Sequence, residues 1–335
     1  MLKFDYAEYA ASEEAVTAAR PAAERTAKAI WEKGFSNISL TAVGGSLSPM
    51  MAVGEIAKQV TDLPVYVEQA AELLARGHKM LGKNSVVITM SKSGDTKETV
   101  AIAKSCKERG IPVIALTKDP CSPLGAEADY YIPMRHTNGV EYEYILLYWL
   151  FFSLLYYRGD FPDYPVFARR LEELPKKLLA AKEAFEERAD TIAKACHQEP
   201  YMLWVGGGEL WGETYLFSMC ILEEMQWKRT KSVTSAELFH GTLELVEEDT
   251  CVFLIKGAGA CRALDERANR FLERYTRKLT VIDPLEYMAE EAAAFRWLLA
   301  PLYVSTLLVD RLAAHMEKYT GHDLDFRRYY RQFEY

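Results

Sequence analysis

Apolar residues in the first half of the chain fall into short unbroken runs separated by stretches of helical spacing. Ile38 to Val43, SVVITMS at 85–91 and IPVIALT at 111–117 read as strands, with PVYVEQ at 64–69 as a further extended segment. Between them lie a helical stretch from about Pro49 and a second helix in SGDTKETVAIAKSCKERG at 93–110. Runs of Val and Ile without polar alternation mark parallel strands covered on both faces, so this order predicts a doubly wound α/β layer. Ahead of it, residues 12–33 carry Ala, Glu and Lys at helical spacing and end at Gly34, which predicts a leading helix.

The second half repeats the pattern: YMLWVGGG at 201–208, a helix from Glu209 to about Trp227, CVFLIKG at 251–257, a helix around 262–275, and LTVID at 279–283. Gly206 follows Gly44 by 162 residues, Cys251 follows Val86 by 165 and Val281 follows Val113 by 168. Such constant spacing predicts two related α/β domains in tandem, each a parallel sheet flanked by helices. The expected division is an N-terminal helical segment over 1–36, a first domain over 37–160, a charged helical connection over 161–199, a second domain over 200–320 and a tail over 321–335. A helix over about 296–319 leads into that tail, which is basic and aromatic: DFRRYYRQFEY.

The longest apolar stretch, Tyr144 to Tyr157, covers 14 residues. A spanning helix needs about 20, so this one is expected to be buried in the protein or against another subunit. Length adds to the two-domain picture, because 335 residues correspond to about two domains at ~150 each. With 50% apolar and 26% charged residues, the chain has the composition of a globular protein, not of a disordered or collagen-like one. A net charge of −8 repels nucleic acid and anionic membranes, so neither is an expected partner and an anionic substrate must be held by local geometry. The six cysteines form no C-x-x-C pair and read as reduced thiols. MLKFDYAEYAASEEAV has neither the basic start nor the apolar centre of a secretory signal, and a cytoplasmic location is expected.

Ser91-Lys92-Ser93-Gly94-Asp95-Thr96, between a predicted strand and a helix start, has the chemistry of a phosphate cradle. Its hydroxyls donate to phosphate oxygens, Gly94 allows close backbone approach, the helix start favours an anion and Lys92 adds a full positive charge. The alternative is a plain helix cap, with Asp95 and Glu98 forming a capping box. Gly44-Gly45-Ser46 leaves the first strand at the same carboxyl edge, where open α/β sheets bind ligands. No Walker motif occurs, and GGGELWG at 206–212 departs from the dinucleotide fingerprint, so neither nucleotide hydrolysis nor NAD binding is expected.

Candidate acids and bases cluster in the second half. Glu223 and Glu224 end a mostly apolar helix, and Glu224 has Phe217, Cys220 and Ile221 on its helical face. A carboxylate among apolar neighbours has a physical reason to serve as a base, whereas two surface acids at a fraying helix end would do nothing. Of the six histidines only His240 lies in a compact polar-aromatic motif closed by glycine. Glu237 and His240 have the spacing of half a di-iron site, but a second copy is missing and no metal is expected.

VGGS at 43–46, SKSGDT at 91–96 and SAELFHGTLE at 235–244 resemble the sugar isomerase (SIS) domain family, and tandem SIS domains would account for the repeat. The chain is most similar to the fructosamine 6-phosphate deglycases, which share S-x-E-x-x-H-G-x-L-E and a tail of the form R-R-Y-Y…E-Y. By position the resemblance implies phosphate binding by Gly45, Ser46, Ser91, Ser93 and Thr96, with Lys92 where many relatives are uncharged. It implies a catalytic glutamate 16 residues before the catalytic histidine His240, which selects Glu224. Ile221 and Gln332 replace lysines of the glucosamine-synthesising relatives, which argues against that activity. The second domain has Lys256-Gly257-Ala258-Gly259 where a serine-rich loop would stand and is expected to hold no phosphate. The implied protein is a cofactor-independent enzyme, a homodimer whose active site takes its histidine from the other subunit. Its reaction would release glucose 6-phosphate and an amino acid from a 6-phosphorylated Amadori compound. An aldose–ketose phosphosugar isomerase and a non-catalytic phosphosugar sensor are the alternatives on the same scaffold.

Overall fold

The computed structural model describes residues 1–137 and 139–334. Asn138 in the first predicted domain and Tyr335 at the end of the predicted tail lie outside the described residues. The chain divides into two compact units, one of Asp5–Pro175 and the other of Met1–Phe4 with Lys176–Tyr335.

The first unit holds five strands: β1 (Asn37–Ala42), β2 (Val65–Gln69), β3 (Ser85–Met90), β4 (Val113–Thr117) and β5 (Tyr130–Pro133). All pair in parallel, in the order β2-β1-β3-β4-β5. Ile38 stands beside Val86 and Leu40 beside Ile88, so these apolar positions of β1 and β3 are in register. Every residue of β1, β3 and β4 is buried, the Ser and Thr side chains among them included, as in a parallel sheet covered on both faces, while β2 at the edge is half-buried. The sequence pattern did not anticipate β5, a four-residue edge strand whose YYIP is closed by a proline that only an edge tolerates.

The leading segment is two helices, Tyr6–Thr17 and Arg20–Lys33, where one was expected over 12–33. The break falls just before Pro21, which lacks an N–H and fits only the first turn of a new helix. The Tyr144–Tyr157 run lies inside helix Val140–Arg158, buried without interruption from Glu141 to Leu155 and packed on helix Arg20–Lys33. At about 1.5–3 kcal/mol per large apolar side chain, this helix is a principal source of the unit's cohesion. The predicted helical connection is the single helix Tyr164–Cys196, which runs through Pro175.

The second unit has four parallel strands, β6 (Tyr201–Val205), β7 (Arg229–Val233), β8 (Cys251–Ile255) and β9 (Lys278–Ile282), in the order β7-β6-β8-β9. Central β6 and β8 are buried apart from the half-buried Tyr201, and Trp204 stacks on Phe253 between them, rings 4.2 Å apart. Two helical segments of this unit depart from regular α geometry. The segment expected as one helix from Glu209 to about Trp227 is a short turn at Gly208–Leu210, an α segment Trp211–Tyr215, a π segment Leu216–Glu223 and a final turn Glu224–Gln226. The helix expected over 296–319 likewise contains a π segment, Thr306–Leu312, and the two wide turns pack against each other. Among the described residues one helical stretch, Ala293–Thr320, is long and apolar enough to cross a bilayer, and most of it is buried inside the protein.

Candidate active site

Strands β1 and β3 are hydrogen-bonded neighbours, and the chain leaves them toward opposite sides of the sheet. Such a switch point opens a crevice at the carboxyl edge. Both predicted phosphate loops lie there. After β1, Gly44–Leu47 forms a tight turn with Gly44 at φ 53, and Gly45 and Ser46 are half-buried beside the start of helix Ser48–Val60. After β3, the buried Ser91 hydroxyl lies 2.9 Å from Oγ1 of Thr96, 3.5 Å from Oγ of Ser93, and accepts the Gly94 N–H at 3.2 Å. Gly94 adopts φ 71, and a Cβ there would fall 2.3 Å from the Ser122 hydroxyl.

Three hydroxyls thus converge at the N-terminus of helix Lys97–Glu108. The capping-box alternative is not realised, because Thr96 is the N-cap and makes no side-chain capping bond, while Asp95 accepts the Ser93 hydroxyl. Uncapped N–H groups and hydroxyls are donors suited to an anion. Lys92 donates its ammonium to the Thr137 carbonyl at 2.5 Å, so an anion would share that cation with the loop.

The second sheet ends differently. The Glu209 carboxylate is buried and accepts the N–H groups of Ala258 and Gly259 at 2.9 and 2.7 Å. Asp265, also buried, accepts the Gly257 N–H at 2.8 Å and the Ser235 hydroxyl at 2.5 Å. Burial pushes the Asp265 carboxyl up to about 6, against the pull of those two hydrogen bonds. The glycine-rich loop after β8 is therefore filled by the chain's own carboxylates.

Glu224 follows the π segment directly. Its backbone N–H bonds to carbonyls three and five residues back, Ile221 and Met219, so the face inferred from regular helical spacing does not apply. The expectation of a carboxylate enclosed by apolar side chains is corrected: the Glu224 side chain is 32% exposed, and its Oε1 accepts Nε of Arg327 at 3.0 Å. Its charge still acts on apolar surroundings, since burial and then Glu224 push the Cys220 thiol up to about 12. Glu223, by contrast, is exposed and bonded to Thr230 of β7.

His240 ends a short turn, Glu237–His240, after β7, and is exposed ahead of Gly241 at φ 144. The turn is anchored from below. Ser235 is tied to Asp265, the Leu238 side chain is buried, and the guanidinium of Arg267 lies 3.9 Å over the Phe239 ring. Among the described residues no hydrogen bond or ion pair joins His240 to Glu224 within the chain. No cluster of His, Cys, Asp and Glu among them has the form of a metal site. Sequence reasoning missed Glu209, Asp265 and Arg327. An acid placed inside GGGE was a signal for Glu209, but nothing local marked Asp265, and Arg327 was one arginine among several in the tail.

Comparison with known proteins agrees with this architecture. The SIS domain matches residues 36–153. Fructosamine deglycase FrlB of Bacillus subtilis (strain 168) is 30% identical over 90% of this chain and 94% of its own length. The fructoselysine 6-phosphate deglycase of Escherichia coli O157:H7 is 25% identical over 89% of this chain and 86% of its own. A Bacillus subtilis crystal structure assigned provisionally to the phosphosugar isomerases superposes with a TM-score of 0.89 at 27% identity, covering 95% of this chain and all of that one. Two parallel sheets, the loops at the switch point and near full-length similarity to such enzymes lead to one conclusion: the chain belongs to the SIS-domain family of phosphosugar deglycases and isomerases and is an enzyme of that type.

Proposed function

We propose that this enzyme is a fructosamine 6-phosphate deglycase, which converts a 6-phosphorylated Amadori compound to glucose 6-phosphate and a free amino acid. The observation that carries the reading is the similarity to a fructosamine deglycase over 94% of that protein's length. Site chemistry supports it. The hydroxyls of Ser46, Ser91, Ser93 and Thr96 with the Gly45 backbone and Lys92 are the proposed phosphate anchor, and Glu224 and His240 are the proposed proton-transfer groups.

In the open-chain substrate C2 is a carbonyl and C1 bears the nitrogen, so the C1 proton is acidified. Glu224 removes it while His240, as imidazolium, protonates O2, which gives an enaminol. Protonation of C2 by Glu224 moves the double bond to C1 and nitrogen, and water adds to this imine to release the amine and leave the aldehyde of glucose 6-phosphate. Each positioned proton-transfer group is worth about 10²–10⁴-fold. No redox or metal step is required. The reading includes a cytoplasmic homodimer in which His240 serves the partner's site, and the six free thiols suit a reducing compartment.

Release of amine and glucose 6-phosphate from a panel of fructose-amino acid 6-phosphates tests the reading, and no release from any member overturns it. An aldose–ketose isomerase is the second reading, favoured by the fold match to a provisional phosphosugar isomerase. Interconversion of glucose 6-phosphate and fructose 6-phosphate at the rate of amine release would favour that reading instead.

A further inference from the structure

The C-terminal tail returns to the turn that carries Glu224 and engages three of its four residues from 224 to 227. Arg327 donates Nε to Glu224 Oε1, Gln226 donates Nε2 to the His322 carbonyl at 2.7 Å, and Trp227 is covered by the guanidinium of Arg328 at 4.1 Å and by the edge of His322 at 4.3 Å. The Thr320 hydroxyl adds a bond to Gln226 Oε1 at 2.8 Å. Arg327 is itself held, donating Nη1 to the carbonyls of Leu324 and Phe326, and its side chain is only 16% exposed. A flexible surface arginine would not be fixed at both ends in this way.

The turn needs such support. It follows a π segment, its last residue Trp227 sits at φ 53, and the helix ends there. A carboxylate on a fraying end samples several rotamers, whereas a base must present one oxygen to one carbon. With Oε1 held by Arg327 and no group among the described residues on Oε2, the carboxylate has one oriented free oxygen.

We infer that Arg327 is a positioning residue for the base: it fixes Glu224 so that Oε2 faces the substrate carbon, and segment 321–328 is thereby part of the active machinery. The inference rests on the deglycase reading for the identity of the substrate, but the proton abstraction it concerns is separable from amine release. Two assays therefore decide it. One is turnover of a fructose-amino acid 6-phosphate. The other is exchange of deuterium from solvent into C1 of fructose 6-phosphate, which needs the base and no imine hydrolysis.

In R327A, kcat and the exchange rate are expected to fall about 10- to 100-fold, with KM and glucose 6-phosphate binding little changed. R327K should recover part of the loss, and guanidinium at about 20–50 mM should restore activity to R327A but not to E224Q. Unchanged kcat and exchange in R327A, or a loss confined to KM, overturns the inference. If R327A does not fold, R327Q is judged on the same split, and wild-type kcat there overturns it. Absence of amine release by the wild-type enzyme would remove the deglycase reading alone, because the exchange assay would still report on Arg327.

Discussion

Glu224 and Asp265 show how far the surroundings of one side chain decide what it can do. Glu224 is placed at a helix end where Oε1 is bound by Arg327 and the side chain is partly exposed. Its replacement by Gln keeps the shape and removes the basicity, so E224Q is expected to lose at least about 10²-fold in kcat while glucose 6-phosphate binding measured by calorimetry persists. Asp265 is buried with its carboxyl pushed up to about 6, against 3.8 for an exposed one. Between those values the folded protein binds more protons than the unfolded one. This group's contribution is therefore most favourable in acid and is lost as pH rises through about 6, an effect on the order of 3 kcal/mol at neutral pH. In D265N the amide oxygen can accept from Gly257 while its NH2 donates to Ser235, and the slope disappears. Urea unfolding should show D265N gaining on the wild type between pH 5 and pH 7.5, and a constant difference would contradict the burial argument. Neither the Arg327 contact nor the raised carboxyl was legible in the sequence, since both depend on residues 103 and 30 positions apart brought together by the fold. The convergence of the Ser91, Ser93 and Thr96 hydroxyls was legible because all three lie in one contiguous loop.

Elements whose character is local followed the pattern closely. Strands β1, β3, β4, β6 and β8 fall on the extended runs expected from the pattern, and the helix after Thr96 begins where the SKSGDT loop ends. The π segment is different, because an inserted residue leaves no mark in hydrophobic spacing: LFSMCILE is apolar on nearly every side. Its effect on the base can be tested by removing the insertion. Deletion of Met219, which is exposed, should restore α geometry and turn Glu224 by about 100° around the axis. Turnover should then be lost while phosphosugar affinity, proposed to depend on the loops of the other sheet, is retained. Preserved turnover would show that the wide turn has no part in aiming the carboxylate.

For the whole molecule, the proposed sharing of His240 between subunits has a quantitative consequence. Two inactive variants, E224Q and H240N, are expected to regain activity when mixed and allowed to exchange subunits, because one of the two sites in each heterodimer then has both wild-type residues. Random pairing would restore about one quarter of the wild-type rate. No recovery in exchanged mixtures would place both residues in the same chain. The duplication itself was legible from three nearly constant offsets, but its divergence was readable only as a missing serine loop. In the second sheet, Glu209 sits on the N–H groups of Ala258 and Gly259. A covalently attached acid cannot be diluted away, so that pocket is permanently self-saturated. Titration should accordingly find a single phosphosugar equivalent per polypeptide, at the loops proposed in the first unit, with the corresponding edge of the second sheet closed by its own chain.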